Sequence, residues 1–263
     1  MQKIGVIGGS GLYDIPGVRF VKEETVETPY GPPSDKFRVG ELDGKTIVFL
    51  PRHGAGHALP PHKINYRANI WGMRSLGADQ IFAVNATGAI DPELGPGSIV
   101  LPDQIIDFTM GGRPATFYES GDVVHVDFTR PYCPELRRVL AEAAGKAGIP
   151  VVGSGTYVAV NGPRLETAAE IQFFSRIGGH ILGMTGMPEA VLARELEMCF
   201  SVLAVVTNYA AGVKEEKKLT TTEVLEVMAR STEKVKGILK EAFSLIPEKR
   251  TCPCPEALKD ARL

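Results

Sequence analysis

The chain has 263 residues, of which 44% are hydrophobic and 23% charged, enough for one large α/β domain or two smaller ones. Its formal net charge of −2 argues against binding to nucleic acid or to an anionic membrane surface. No apolar run approaches the roughly 20 residues of a membrane span, and the N-terminus has no signal-peptide pattern. We therefore expect a cytoplasmic protein.

Apolar runs that end in polar or glycine-containing turns predict strands, and helical spacing of apolar residues predicts helices. The first half of the chain has predicted strands at 3–7, 46–50, 80–85 and 98–101, and predicted helices at 66–76 and 134–147. The second half has predicted strands at 151–160 and 200–208, and predicted helices at 166–176, 188–197 and about 220–245. This alternation predicts one three-layer α/β domain over residues 1–246, followed by a Pro-rich tail at 247–263.

The chain contains four cysteines. Cys133 and Cys199 lie in apolar surroundings and are predicted to be buried thiols. Cys252 and Cys254 flank Pro253 on the tail, where they form either a disulfide or two free thiols on a loose segment. The spacing includes no zinc-type Cys-x-x-Cys pair, so we predict no metal site and no cofactor.

Several predicted strands end in groups that suit an anion. These are the backbone amides and hydroxyl of Gly9-Ser10-Gly11, the side chains of Arg52-His53, the turn beginning at Asn85-Ala86, and Thr185-Gly186. Backbone amides, hydroxyls and an arginine are the usual components of a phosphate site. Each signal is weak alone, and the first turn lacks the Gly-x-Gly-x-x-Gly spacing of a dinucleotide fold.

In order and spacing, the segments together resemble the methylthioadenosine phosphorylase and trimeric purine nucleoside phosphorylase family. The similar motifs are Gly8-Gly9-Ser10-Gly11-Leu12, Thr28-Pro29-Tyr30-Gly31, Arg52-His53-Gly54, Asn65-Tyr66-Arg67-Ala68-Asn69, Asn161-Gly162-Pro163-Arg164-Leu165-Glu166-Thr167 and Met184-Thr185-Gly186-Met187-Pro188-Glu189. The resemblance spans about residues 3–245. It implies a single α/β domain whose central mixed sheet partly closes into a barrel. It also implies a homotrimer with active sites near subunit boundaries; a hexamer of two trimers stays open.

The resemblance also implies roles for individual residues, with inorganic phosphate as co-substrate. Phosphate would be bound by Ser10, Arg52, His53, Asn85, the backbone of Ala86, and Thr185. The nucleoside would contact Met184, at the sugar, and Leu165. His125 would extend from a neighbouring subunit toward the 5′ end of the nucleoside; the alternative is an exposed histidine at a strand edge.

Two positions favour a 6-oxopurine base. The adenine-cleaving branch of the family carries aspartate at the positions of Asn208 and Ala210. A neutral amide at 208 can accept a hydrogen bond from N7–H and donate one to a 6-keto oxygen. Glu166, where that branch lacks a carboxylate, would accept the N1–H of a 6-oxopurine and repel the N1 lone pair of adenine. Glu166 could instead favour the dipole of a helix that it opens.

The sequence leaves two alternatives for the 5′ substituent of the substrate, a hydroxyl or a methylthio group. Ribonucleoside-cleaving relatives carry a histidine early in the last helix, where this chain has Thr221, with Val224 one turn later. Such a pocket could accept a methylthio group, and a threonine can also hydrogen-bond a hydroxyl.

We therefore predict phosphorolysis of inosine, guanosine or S-methyl-5′-thioinosine in purine salvage, without a covalent enzyme intermediate. The nearest alternative is S-methyl-5′-thioadenosine phosphorolysis. More distant alternatives are a nucleoside hydrolase and a non-catalytic ligand-binding protein.

Overall fold

The structure is a computed structural model that describes residues 2–214 and 220–263; the side chains of Ser10 and Thr221 lie outside the described part. Its helices are α1 (Tyr66–Ser75), α2 (Pro134–Lys146), α3 (Ala168–Arg176), α4 (Gly186–Glu195) and α5 (Thr221–Leu245). Its strands are β1 (Lys3–Gly8), β2 (Arg19–Glu24), β3 (Phe37–Leu42), β4 (Lys45–Pro51), β5 (Gln80–Ala89), β6 (Ile99–Val100), β7 (Gln104–Asp107), β8 (Thr156–Ala159), β9 (Ile181–Gly183) and β10 (Cys199–Tyr209). Among these residues, no helix combines the length and apolar character needed to cross a membrane.

The strands form one mixed sheet in the order β2-β3-β4-β1-β5-β9-β8-β7, and β10 branches from β5 and carries β6. Strands β4, β1, β5 and β10 are parallel to their neighbours in this series. The predicted single α/β domain with a central mixed sheet is confirmed. The sheet is not strictly closed, because its end strands β2 and β7 do not pair with each other in the described chain.

Helices cover both faces of the central strands, which makes three layers. Successive residues of a strand point to opposite faces, so Ile47 and Phe49 of β4 pack in one core with α2 and α5. Val48 and Leu50 pack in a second core with α1 and α4. A third, smaller cluster lies where β8, β9 and α3 meet the end of β10. The central strands are apolar on both faces because both faces are covered.

The structure differs from the sequence prediction mainly at edges and boundaries. The sequence did not predict four of the strands, namely β2, β3, β7 and β9. Of the strand predicted at 151–160, only Thr156–Ala159 forms a strand (β8). The helix predicted from 166 begins at Ala168, because Thr167 is its N-cap and forms a reciprocal capping box with Glu170. Glu166 therefore precedes the cap and does not open the helix.

The tail is packed against the domain rather than loose. Arg250 forms an ion pair with Asp79 at 3.3 Å, and the Thr251 hydroxyl donates to Glu135 at 2.5 Å. The backbone N–H of His125 donates to the carbonyl of Ala261 at 2.8 Å. The last residues of the chain are thereby paired with the segment that contains His125.

Candidate active site

Three parallel strands bring the predicted anion-binding groups to one edge of the sheet. Strand β1 lies between β4 and β5, so the turn after Gly8, the residue Arg52 after β4, and Asn85 within β5 are neighbours. The backbone N–H of Arg52 donates to the carbonyl of Gly8 at 3.0 Å. Thr185 joins them, since its hydroxyl accepts a hydrogen bond from Asn85 Nδ2 at 2.9 Å.

The guanidinium of Arg52 is buried and largely occupied by protein groups. Its Nε and Nη2 donate to the two oxygens of Glu189 at 2.5 and 3.0 Å, and Glu189 is 0% exposed. Nη1 donates to the carbonyl of Val84 at 2.8 Å, and Nη2 also donates to Asn85 Oδ1 at 3.2 Å. Burial opposes the charged form, but Glu189 outweighs it and raises the pKa of Arg52. Of the five N–H donors of a guanidinium, these bonds leave one for a ligand.

His53 is neutral at physiological pH. Burial lowers its pKa from 6.5 to about 4, and the charges of Arg52 and His57 act in the same direction. Its Nδ1 lies 2.8 Å from the carbonyl of Leu59, and its ring stacks on His57 at 4.0 Å. A carbonyl can only accept, so Nδ1 carries the proton in this contact, and Nε2 is left as an acceptor.

A buried tyrosine, which the sequence did not reveal, supports the Thr185 turn. Tyr157 is 0% exposed, and its hydroxyl accepts from Asn85 Nδ2 at 3.4 Å. Its ring and hydroxyl occupy the space where side chains at Gly183 and Gly186 would lie. The two glycines let the backbone around Thr185 pass directly over the tyrosine. Thr185, 7% exposed, accepts from Asn85 and keeps its own hydroxyl proton to donate.

Asn208 lies half-buried near the end of β10, just after a bulge in its pairing with β5. Its Nδ2 donates to the carbonyl of Tyr209 at 2.9 Å, and its Oδ1 is 2.8 Å from the hydroxyl of Thr207. The Tyr209 carbonyl fixes which end of the amide is the donor. One N–H and one oxygen lone pair remain for a ligand.

The remaining predicted base-pocket residues border one apolar cluster. Ala210 is buried in the small cluster with Val160 and Leu182, and Met184 packs against it. A side chain at Gly88 would touch both Asn208 Nδ2 at 3.3 Å and Ala210 Cβ at 3.7 Å. The absence of a side chain at Gly88 therefore lets Leu182, the Asn208 amide and Ala210 pack closely against β5.

Glu166 lies on the loop between Val160 and α3 and is half-buried. Burial raises the pKa of its carboxyl, with a further contribution from Glu170. Arg164, its neighbour in sequence, forms a two-pronged ion pair with Glu170 at 2.6 and 2.8 Å. That pairing leaves the Glu166 carboxylate for another partner. Leu165 beside it is 51% exposed.

Arg113 was not singled out by the sequence, yet it ties the two loops of the pocket together. It is 8% exposed. Its guanidinium donates to the carbonyls of Met184 at 2.6 Å, Met187 at 2.8 Å and Asn161 at 2.8 Å. It therefore holds the Asn161 loop, which leads to Glu166, against the turn that carries Met184 and Thr185.

Comparison with known proteins agrees with this arrangement. The sequence profile of the family described as the phosphorylase superfamily matches residues 3–244. This chain belongs to the phosphorylase superfamily.

The relatives of this phosphorylase include proteins named for 6-oxopurine nucleosides and proteins named for adenine nucleosides. It is 52% identical to a protein of Thermodesulfovibrio yellowstonii named probable S-methyl-5′-thioinosine phosphorylase, over 98% of this chain and 97% of the relative. It is 51% identical to a 6-oxopurine nucleoside phosphorylase of Pyrococcus furiosus, over 99% of both chains. It is 47% identical to an S-methyl-5′-thioadenosine phosphorylase of Thermofilum pendens, over 98% of both.

A solved structure with the same fold is a methylthioadenosine phosphorylase from an antarctic soil metagenomic library. It has a TM-score of 0.93 and 36% sequence identity, covering 100% of this chain and 92% of that one. The agreement in fold extends over the whole phosphorylase chain, including the tail.

Other predicted site residues are not joined to these clusters by a described contact. His125 is exposed, and its described backbone partner is Ala261. Val224 is half-buried on the first turn of α5, where Thr220 is the N-cap and accepts from the Glu223 N–H at 3.3 Å. The side chains of Ser10 and Thr221 lie outside the described residues, and Ala86 is exposed beside Asn85.

Proposed function

We propose that this phosphorylase cleaves 6-oxopurine nucleosides, namely inosine, guanosine or S-methyl-5′-thioinosine, with inorganic phosphate. The products are the free base and ribose 1-phosphate or its methylthio analogue. The observation that carries the proposal is the Asn208 amide. It retains one donor and one acceptor, the pair that a purine with O6 and a protonated N7 requires.

Phosphate would bind where β1, β4 and β5 end. The remaining N–H of Arg52, the hydroxyl of Thr185 and the backbone near Ala86 are donors there, and Ser10 is the fourth candidate. Neutral His53 would accept the proton of a phosphate hydroxyl at Nε2. Because Glu189 balances the charge of Arg52, the site would stabilise the anion largely through dipoles held in place before it binds.

The base would lie between Asn208 and Glu166, over the apolar cluster that includes Ala210. Asn208 Oδ1 would accept from N7–H while Nδ2 donates to O6. Glu166 would accept from N1–H. Adenine places a lone pair at N1, which would repel the Glu166 carboxylate. It also carries an amino group at position 6, which would leave the Asn208 N–H without an acceptor. An unpaired buried group costs about 1–3 kcal/mol.

In the reaction, the C1′–N9 bond breaks and its electron pair moves into the purine. The sugar passes through an oxocarbenium-like state, to which phosphate adds at C1′ with inversion. The purine takes up a proton at N7 from water and leaves as the neutral base, and hydrogen phosphate returns a proton to water as it forms the ester, so the proton count balances. Asn208 stabilises the charge that develops on the purine, and bound phosphate faces the developing cation.

S-methyl-5′-thioadenosine is the second candidate substrate, because relatives with that name share this fold and 47% identity. Against it stand the amide at Asn208 and the methyl at Ala210, where the adenine-cleaving branch carries aspartates. The 5′ substituent depends on Val224 and Thr221 and on His125 of a neighbouring subunit, if the chain forms the trimer that we propose.

A trimer, cytoplasmic action and a role in purine salvage complete the proposal. Exposed apolar side chains next to the site support an assembly, among them Phe108 at 42% and Phe173 at 50% exposed. Light scattering on the eluting protein would measure the assembly mass; a monomer would remove the trimer from the proposal.

Phosphate dependence tests the reaction class. Inosine is incubated with the enzyme in buffer with or without phosphate, and hypoxanthine and ribose 1-phosphate are quantified. We expect equal amounts of both products, and only with phosphate. Free ribose in the phosphate-free arm would indicate a hydrolase, and binding without products would indicate a non-catalytic protein.

A further inference from the structure

The fold brings all four cysteines of the chain to one place. Cys133 is the N-cap of α2, Cys199 begins β10, and Cys252 and Cys254 lie on the tail. Their sulfur atoms all lie within 4.8 Å of one another. We call these residues the four-cysteine cluster. None of them has a part in the proposed phosphorolysis.

The spacing of the sulfur atoms suits a single tetrahedral ion. A zinc–sulfur bond of about 2.3 Å places tetrahedral ligands about 3.8 Å apart. The sulfurs of Cys199 and Cys252 are 3.3 Å apart, and no pair in the cluster exceeds 4.8 Å. A bonded disulfide pair would instead be about 2.05 Å apart. The cluster is therefore close to the arrangement of four ligands around one metal.

Two groups beside the cluster would stabilise thiolates. Cys133 begins a 13-residue helix, whose positive end favours negative charge, and its sulfur accepts from the Leu136 N–H at 3.5 Å. The positive charge of Arg250, whose side chain is 19% exposed, interacts electrostatically with Cys199 and Cys252. An amide and a cation thus offset part of the charge that four thiolates carry around a divalent ion.

The cluster is also shielded from water. Cys133, Cys199 and Cys254 are each at most 1% exposed, and only Cys252 is half-buried. Four protein ligands leave no open position for a substrate, which is the pattern of a structural zinc site rather than a catalytic one. Sulfur ligands select zinc over magnesium or calcium.

We propose that the four-cysteine cluster is a structural site for one zinc ion, which fastens the tail to the start of α2 and the start of β10. Binding replaces the thiol protons with the metal. The Cys-x-Cys spacing is shorter than the usual zinc pairs, which explains why spacing alone did not reveal the site. The ion would also support the strand-like pairing of the tail with the His125 segment.

The test begins with the protein expressed with added zinc and purified under anaerobic conditions without a thiol reductant. Metal content is measured by plasma mass spectrometry, and the intact chain is weighed under native and denaturing conditions. We expect one zinc per chain, lost on denaturation. Titration of the metal-free, reduced protein with cobalt should give the visible absorption of a tetrahedral thiolate complex. A chelator should lower the Tm by roughly 5 °C or more.

Two variants sharpen the result. Cys252→Ser removes one ligand and should lower zinc content to well below half, whereas Pro253→Ala disturbs the same segment, keeps all four sulfurs and should retain full content. A chain free of metal that is lighter by two hydrogens per bridge would mean disulfides and would overturn the proposal. Metal-free protein with four alkylatable thiols would overturn it as well.

Discussion

Arg52 and Glu189 form a buried ion pair in which two guanidinium nitrogens meet the two carboxylate oxygens at 2.5 and 3.0 Å. The arginine is 2% exposed and the glutamate 0%. Glu189 lies on α4, directly after the turn that carries Thr185. The pair therefore joins the end of β4 to that turn and fixes both sides of the proposed phosphate site.

Breaking this pair should destabilise the protein strongly. Glu189→Gln leaves the Arg52 charge buried without its counter-ion, a change that typically costs about 3–5 kcal/mol. We expect the Tm to fall by roughly 10 °C. Added phosphate should raise the Tm of the variant more than that of the wild type, because the guanidinium is then free to bind the anion. Glu93→Gln, the same substitution at an exposed site, should leave the Tm unchanged. Equal Tm values for both variants would contradict the assigned pair.

Asn208 should control turnover of the oxopurine substrate. Asn208→Ala removes the contacts to N7 and O6 that strengthen as the purine becomes negative, so kcat for inosine should fall roughly tenfold or more. Asn208→Asp removes the donor to O6 while keeping an acceptor, so adenosine should lose less kcat/KM than inosine. Steady-state kinetics with both nucleosides measures this. Near-normal inosine turnover in Asn208→Ala would remove the residue from the mechanism.

Glu166 should set discrimination at N1. Glu166→Gln keeps an oxygen acceptor but adds an N–H that can donate to the N1 lone pair of adenine. The ratio of kcat/KM for inosine over adenosine should drop roughly tenfold, with little change in Tm because the carboxylate precedes the helix cap. An unchanged ratio would indicate that Glu166 has no contact with the base.

Gly162 should be irreplaceable in the pocket loop. It has φ of +60°, and a Cβ there would overlap the Met184 sulfur. Gly162→Ala should therefore displace Met184 and the loop that leads to Glu166, raising the KM for inosine. Gly145→Ala, on α2 with nothing within 4 Å of the added carbon, is the control and should keep the wild-type KM, with a Tm equal to or slightly above that of the wild type. Equal kinetics in both variants would contradict the assigned packing.

His53 should make stability depend on pH. Its pKa is about 4 in the folded protein, against the ordinary value of 6.5 that applies in the unfolded chain. Between these pH values the unfolded chain therefore binds more protons than the folded protein. The stabilisation that neutral His53 contributes is fully present above pH 6.5 and declines as the pH falls toward 4. At pH 4.5 the wild type should lose about 2–3 kcal/mol from this group. His53→Asn lacks that contribution, which urea unfolding at pH 7 and pH 4.5 would measure; identical losses would contradict it.

The central layers of the fold could be predicted because their sequence pattern is imposed by burial on both faces. Strand β10, with nine consecutive buried residues from Cys199 to Thr207, is the clearest case. Edge strand β2 could not be predicted in this way, because four of its six residues are exposed and its pairing depends on β3. Short β9 is defined by its neighbours rather than by its three residues.

The site could be predicted only in part. Arg52 and Thr185 follow strands and Asn85 lies within β5, and the fold joins them because those strands lie close together in the sheet. Arg113 and Tyr157 are buried and support loops that are distant from them in sequence. No local sequence pattern identifies such residues. The four-cysteine cluster likewise depends on tertiary structure.

The most direct test of the base preference is a competition between equimolar inosine and adenosine in phosphate buffer, with hypoxanthine and adenine quantified at early times. The Asn208 and Glu166 contacts predict that hypoxanthine exceeds adenine by roughly tenfold or more. An excess of adenine would contradict the assignment of a 6-oxopurine substrate.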